Sequence, residues 1–296
     1  MRRKRLLVPA VGLLLLLACG DSAGPGRTEG RPLVITAFYP LQFVAREVGG
    51  SAIEVRSLTP SGVEPHDLEL SASQIRALGE ADLVVYLGEG FQPGVEDALA
   101  GLDATAQFDA LAGEDLLQGE NGGGEQAVDP HVWLDPSILD SIADQMAARL
   151  SELDPDHTEM FSGNAERLQS DLRELDEEFS RGLANCRSRE IVTSHAAFGY
   201  LAARYDLKQV SISGIDPEAE PTPAKLAEVA TFVKEHHITT IFFEELAPPD
   251  LAQTLARETG AHTDVLSPLE TPPDNGDYLS EMRLNLKRLE TALDCK

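Results

Sequence analysis

The sequence predicts an α/β protein of two similar lobes, each a parallel sheet with helices, joined by one long backbone helix with a cleft between the lobes. Short apolar runs alternate with helix-length segments in the first part of the chain, and the same alternation resumes later. A long helical pattern from Pro155 to Leu183 separates the two blocks. The 296 residues, 42% of them hydrophobic, also suit two domains of ordinary size better than one small core.

The chain opens Met1-Arg2-Arg3-Lys4-Arg5 and continues with an apolar run from Leu6 to Ala18. That run is short for a membrane span and the right length for a signal-peptide core, so residues 1–18 are expected to be a cleaved leader. Leu16-Leu17-Ala18-Cys19-Gly20 resembles a bacterial lipobox, in which the thiol of Cys19 is lipidated and becomes the first residue after cleavage. The expected location is extracytoplasmic, anchored to the cell membrane by a lipid at Cys19. Residues 19–31 are small, polar and without an apolar period, and read as a flexible tether.

The N-terminal lobe is expected to span residues 32–154. Leu33 to Phe38, Ile53 to Leu58 and Leu83 to Leu87 read as buried strands, separated by helices at Pro40 to Val48 and Ser71 to Gly79, with a third at Gln92 to Ala100. Gly113 to Val128 is acidic and glycine-rich and is expected to be a mobile loop. Pro136 to Leu153 has helical spacing. The linking helix, residues 155–185, places Met160, Phe161, Leu168, Leu172, Leu175 and Phe179 on one apolar stripe.

The C-terminal lobe, residues 186–296, repeats the scheme. Strands are expected at Ile191 to Ser194, Gln209 to Ile212 and Thr240 to Glu244, and helices at Phe198 to Tyr205, Pro223 to His236 and Pro249 to Thr259. Asp277 to Leu293 closes the chain as an amphipathic helix. With Cys19 committed to lipid, Cys186 and Cys295 remain, and in an oxidising compartment they are expected to form a disulfide that pins the last helix to this lobe.

The formal net charge is -26, which makes nucleic acid an unsuitable partner and favours cations near the surface. No GxGxxG, GxxxxGK[ST] or GxSxG motif occurs, so nucleotide binding and serine hydrolysis have no sequence support. A monomer is expected.

Of the seven histidines, His66, His131 and His195 sit in loops where strands of an α/β sheet should end. Crevices beyond the carboxyl ends of parallel strands are where such sheets bind ligands. Two imidazoles from the first lobe and one from the second can meet in the cleft, and neutral imidazole nitrogens suit zinc, which takes four ligands in closed sites. His236 and His237 end a helix, where the helix dipole accounts for cationic side chains, and His157 and His262 read as surface positions. Glu244-Glu245, at a strand end, offers a paired-carboxylate acid and base, the strongest enzyme hint in the chain.

Four ordered segments then resemble one family. They are Glu64-Pro65-His66-Asp67, Asp129-Pro130-His131-Val132-Trp133-Leu134-Asp135-Pro136, Thr193-Ser194-His195-Ala196-Ala197-Phe198-Gly199-Tyr200-Leu201, and Gly260 followed by Leu266-Ser267-Pro268-Leu269-Glu270. Across nearly all of Leu33 to Cys295 the chain resembles the zinc and manganese substrate-binding lipoproteins of bacterial ABC importers. The resemblance implies metal held between the lobes, no enzymatic activity, and a membrane permease as partner.

In much of that family the fourth ligand is an aspartate where Ser267 stands here. The segment is instead similar to a zinc-binding branch in which Glu270 completes the site, giving His66, His131, His195 and Glu270 as metal ligands. Three nitrogens and one carboxylate suit zinc better than manganese, which favours oxygen-rich sets. Manganese is the alternative cargo, and a zinc-dependent hydrolase or a surface adhesin are the other rival functions. Asp67, Asp129 and Asp135 are candidates to support the imidazoles, with helix capping or solvation as the competing roles. Trp133 reads as packing, and Glu244 as a structural group facing the cleft. The loop before His131 lacks the histidine-rich stretch of many zinc-binding relatives.

Overall fold

The computed structural model describes residues 30–121, 125–244, 246 and 249–296. The leader and Cys19 lie outside the described residues, as does Glu245.

In the N-terminal lobe four strands, β1 (Leu33–Thr36), β2 (Glu54–Ser57), β3 (Leu83–Tyr86) and β4 (Gln107–Asp109), form one parallel sheet in the order β2-β1-β3-β4. The carboxyl ends of β1 to β3 therefore open toward one side, where the following loops gather. Helices α1 (Tyr39–Gly49), α2 (Ala72–Glu80) and α3 (Pro93–Leu99) alternate with the strands. Their starts follow local chemistry: Pro40 and Pro93 enter the first turns of α1 and α3. Ser71 and Gln74 form a reciprocal capping box on α2.

The segment expected to be a mobile loop is instead partly built. β5 (Gln118–Glu120) and β6 (Gln126–Val128) pair as an antiparallel hairpin. Composition concealed it because its strands, Gln-Gly-Glu and Gln-Ala-Val, are short, incompletely buried and carry no apolar run. Tertiary contacts hold it, since the amide of Ile215 from the other lobe donates to the carbonyl of Glu120 at 3.0 Å.

Asp135 caps α4 (Pro136–Leu153) by accepting from Ser137, and the long helix α5 (Thr158–Gly182) follows a short turn at Pro155–His157. This shortens the linking helix expected from Pro155, and leaves Met160 only partly buried while Phe161, Leu168, Leu172, Leu175 and Phe179 are enclosed. At 1.5 Å per residue its 25 residues run about 37 Å, enough to pass along both lobes.

The C-terminal lobe contains β7 (Glu190–Thr193), α6 (Gly199–Arg204), β8 (Lys208–Ser211), α7 (Pro223–Glu235), β9 (Thr240–Phe243), α8 (Asp250–Thr259), β10 (His262–Val265) and α9 (Tyr278–Ala292). Its parallel sheet has the order β10-β9-β7-β8. β4 and β10 were not anticipated. Each is a short edge strand whose sequence, Gln-Phe-Asp or His-Thr-Asp-Val, lacks the apolar run that marks the central strands. Cys186 and Cys295 are joined by a disulfide across 109 residues, tying the end of α9 to the start of this lobe.

One continuous apolar core extends from α1 and α4 through α5 to α9. It includes Val44 and Met146 on one side, Leu172 in the middle, and Tyr200, Leu201 and Leu289 on the other. Smaller cores lie under the outer faces of the two sheets. Among the described residues no helix is long and apolar enough to cross a membrane.

Candidate metal centre

His66, His131, His195 and Glu270 converge in the cleft, each offering one ligand-type atom within 4.8 Å of the others. Among the described residues this is the only group of His, Cys, Asp and Glu so arranged. The edges of the cluster are informative. Glu270 Oε1 lies 3.5 Å from His66 Nε2, 3.4 Å from His131 Nε2 and 3.8 Å from His195 Nε2, and the His131 and His195 Nε2 atoms are 3.3 Å apart. A tetrahedral zinc site with bonds of 2.0–2.1 Å has ligand-to-ligand edges of about 3.3 Å. The donor cage thus has the size of one small cation.

Each ligand-type side chain is aimed by its own loop. His66 follows β2, and its ring meets the edge of Phe91 at 4.7 Å, while Gln92 Nε2 donates to the carbonyl of Pro65 to fix that loop. His131 follows the hairpin. Asp129 accepts from its backbone amide at 3.0 Å and approaches its Nδ1 at 2.7 Å, leaving Nε2 to face the cleft. His195 follows β7, with Nδ1 2.5 Å from Glu244 Oε2, and Glu244 Oε1 also accepts from Ser194 Oγ at 2.6 Å. A carboxylate behind an imidazole fixes its tautomer and orientation, the usual support for a metal-facing nitrogen.

Glu270 depends on a constrained turn. Leu269 has φ of 60°, a left-handed conformation that costs a non-glycine residue energy and persists only where surrounding contacts enforce it. Those contacts are present. Ser267 Oγ accepts from the Leu269 amide, Asn285 exchanges two hydrogen bonds with the Ser267 backbone, and Trp133 Nε1 donates to the carbonyl of Pro268 at 2.6 Å. Ser267 therefore shapes the turn and takes no place in the cluster.

Both carboxylate oxygens of Glu270 are buried without a hydrogen-bond partner, as is His66 Nε2. A buried carboxylate is costly unless a positive charge compensates it. Burial alone would raise the Glu270 pKa, yet the approach of His131 and His66 holds it well below the ordinary carboxylate range. Burial opposes charge on His131 too, but Asp129 and Glu270 outweigh it and push its pKa up to about 9. His66 is shifted down by burial. Glu64 beside it is pushed up to about 9, by burial first and then by the charge of Glu270. The cage is built to receive positive charge.

Only His66 has a perceptibly exposed side chain, 10% against 0–1% for the other three. Beside it lies a cavity of about 510 Å³ whose walls include Asp67, Glu89, Phe91, Pro130 and Asp216. The opening is acidic.

The other candidates separate from the site. Asp135 caps α4, and Asp67 lines the opening rather than backing an imidazole. His157 pairs with Asp154, and His236 pairs with Glu190 and stacks on Phe232. Trp133 is packed as expected, but its N–H also ties the His131 segment to the Glu270 turn. Sequence reading did not assign Glu244 to His195. The signal was there in the register: β7 pairs β9 with Thr193 opposite Phe242, and two residues further along each strand His195 meets Glu244.

Comparison with known proteins gives the family. The family described as ZnuA, zinc-uptake complex component A, periplasmic, matches residues 34–292. The chain is 36% identical to the zinc-binding lipoprotein AdcA of Streptococcus pneumoniae over 99% of its own length, and spans 62% of the length of that relative. It is 37% identical to the high-affinity zinc uptake system protein ZnuA of Bacillus subtilis, covering 97% of each. Among solved structures it is similar to the laminin-binding protein Lmb of Streptococcus agalactiae, described as bifunctional with adhesin and metal-transporting activity. The TM-score there is 0.82 at 36% identity, over 88% of this chain and 99% of the other. Zn(II)-bound AdcA of S. pneumoniae matches with a TM-score of 0.77 at 38% identity, over 90% of this chain and 58% of that one.

Proposed function

This chain belongs to the family of periplasmic zinc-uptake complex components, and we propose that it captures zinc outside the cytoplasm and delivers it to the membrane permease of an ABC importer. His66, His131, His195 and Glu270 are the ligands in this reading. The observation that carries it is Glu270: a fully enclosed carboxylate whose oxygens lack hydrogen-bond donors, ringed by three imidazole nitrogens at 3.4–3.8 Å. A divalent cation supplies the missing partner to all four side chains at once.

The donor set favours zinc over manganese, since three nitrogens and one oxygen suit the softer ion and its tetrahedral habit. With Glu270 as fourth ligand no coordination position remains for an activated water, so the site binds and does not catalyse. Zinc is the cargo here, and its release follows when the cage is disturbed. The anchor is a lipid on Cys19, a reading supported by the Leu-Ala-Cys-Gly sequence and by the lipoprotein description of the Streptococcus pneumoniae relative. The protein works as a monomer with lobes at residues 32–154 and 186–296 joined by the segment 155–185.

Metal content and competition titration, zinc against manganese, test this on the parent, Glu270→Ala and His195→Ala. The expected result is one equivalent of zinc, held in preference to manganese. Each variant should lose more than the roughly 10–100-fold in affinity that follows loss of an outer support. Preference for manganese, or indifference to Glu270→Ala, refutes the assignment.

A further inference from the structure

Behind His131 the two lobes are stitched together by one phenol. Tyr200 lies in α6, the helix that follows His195, and is 3% exposed. Its hydroxyl accepts from the amide of Leu117, at the root of the hairpin, and donates to the carbonyl of Asp129, each at 2.9 Å. Asp129 is the residue whose carboxylate holds the His131 ring. A single oxygen on the C-terminal lobe thus grips the strap and the support of a metal-facing imidazole together.

Neighbouring glycines allow this approach. A Cβ on Gly199 would lie 2.5 Å from Asp129 Oδ2, so only glycine lets the start of α6 come this close to that carboxylate. Further along the hairpin, a Cβ on Gly119 would meet Ile215 Cδ1 at 2.7 Å, at the place where the Ile215 amide bonds to Glu120. Hairpin residues Asn121, Ala127 and Val128 also line the cavity beside His66. The strap therefore borders the opening of the cage and leans on the opposite lobe.

We propose that Tyr200 is a positioning residue for the metal site: its hydroxyl clamps the hairpin to the C-terminal lobe, steadies Asp129 and through it His131, and so slows release of zinc. This rests on His66, His131, His195 and Glu270 being the zinc ligands. Deleting the hydroxyl leaves the Leu117 amide without its acceptor and the Asp129 carbonyl without its donor, while the Asp129 amide keeps its bond to the Leu117 carbonyl. The burial of the phenol pushes its pKa up to about 12, so the donor proton is present at any working pH.

The test is the rate at which zinc-loaded protein gives up its metal to excess chelator, compared with the rate of zinc uptake by the metal-free protein. Tyr200→Phe keeps the ring and removes the oxygen. It should still bind one zinc at an unchanged association rate, with dissociation faster by about tenfold, the lower end of what loss of an outer partner costs in metal affinity. A role confined to folding would lower the melting temperature of the metal-free protein without moving the dissociation rate, and that result overturns the proposal. Gly119→Val wedges the hairpin away from Ile215 with Tyr200 intact and should also accelerate release, so the idea stays open to refutation even if Tyr200→Phe folds poorly. Glu270→Ala in the same assay separates the two levels. If it weakens binding while both hairpin variants release zinc like the parent, only the clamp fails; if it too behaves like the parent, the ligand assignment fails.

Discussion

At the scale of single residues, two of the three imidazoles, His131 and His195, are held from behind by carboxylates. Glu244 is the clearest case: buried at the end of β9, it contacts His195 Nδ1 and accepts from both Ser194 Oγ and the His195 amide. Glu244→Gln keeps the volume but removes the charge that favours the Nδ1–H tautomer. Zinc affinity should fall by about 10–100-fold, measured by competition titration, and an unchanged affinity would reduce Glu244 to a packing residue. Protons tell a second story. His131 is raised from 6.5 to about 9 in the metal-free protein, so its contribution to folding stability is complete below 6.5 and is lost as pH rises through about 9. The Glu270 contribution has the opposite sign, present above 4.5 and lost only in acid. Zinc requires the neutral imidazole and must displace that proton. Affinity should therefore climb as pH rises toward about 9 and then level off. Calorimetry near neutrality, repeated in buffers of different ionisation enthalpy, should count about one proton released per zinc; release of none would show that His131 is already neutral.

At the scale of elements, what the sequence displayed and what it hid follow from burial. Central strands such as Leu-Val-Ile-Thr and Leu-Val-Val-Tyr are enclosed on both faces and announce themselves as apolar runs. Helix starts were legible from Pro40, Ser71, Pro136, Pro223 and Asp277, because capping is local chemistry. The hairpin was not, because its order comes from Tyr200 and Ile215, residues distant in sequence. The three histidines were legible as loop residues after strands, but the choice of Glu270 over Ser267 came from family resemblance. The reason Glu270 points inward, a left-handed Leu269 held by Trp133 and Asn285, leaves no periodic trace in a sequence. Glu244 stood between: invisible to motif reading, yet implied once the β7–β9 register was fixed.

At the scale of the whole molecule, the lobes are less independent than their repeated topology suggests. α5 packs against α1 and α4 of the first lobe and α9 of the second. Leu168, Leu172, Leu175 and Phe179 belong to the same apolar core as Val44, Met146, Tyr200 and Leu289. A wide hinge opening would pull that core apart, exposing surface at about 25 cal/mol per Å², and would also break the clasp from Trp133 to Pro268 and the one from Tyr200 to Asp129. On the proposed function, metal exchange should therefore proceed through local movement of the hairpin and the His66 loop beside the acidic opening, with the lobes nearly fixed. Solution scattering with and without zinc should give almost the same radius of gyration, while hydrogen exchange at Leu117 and Ile215 should slow on metal binding. A zinc-dependent contraction of the whole particle, with those amides unaffected, would place the motion in a hinge along α5 and refute the shared-core account.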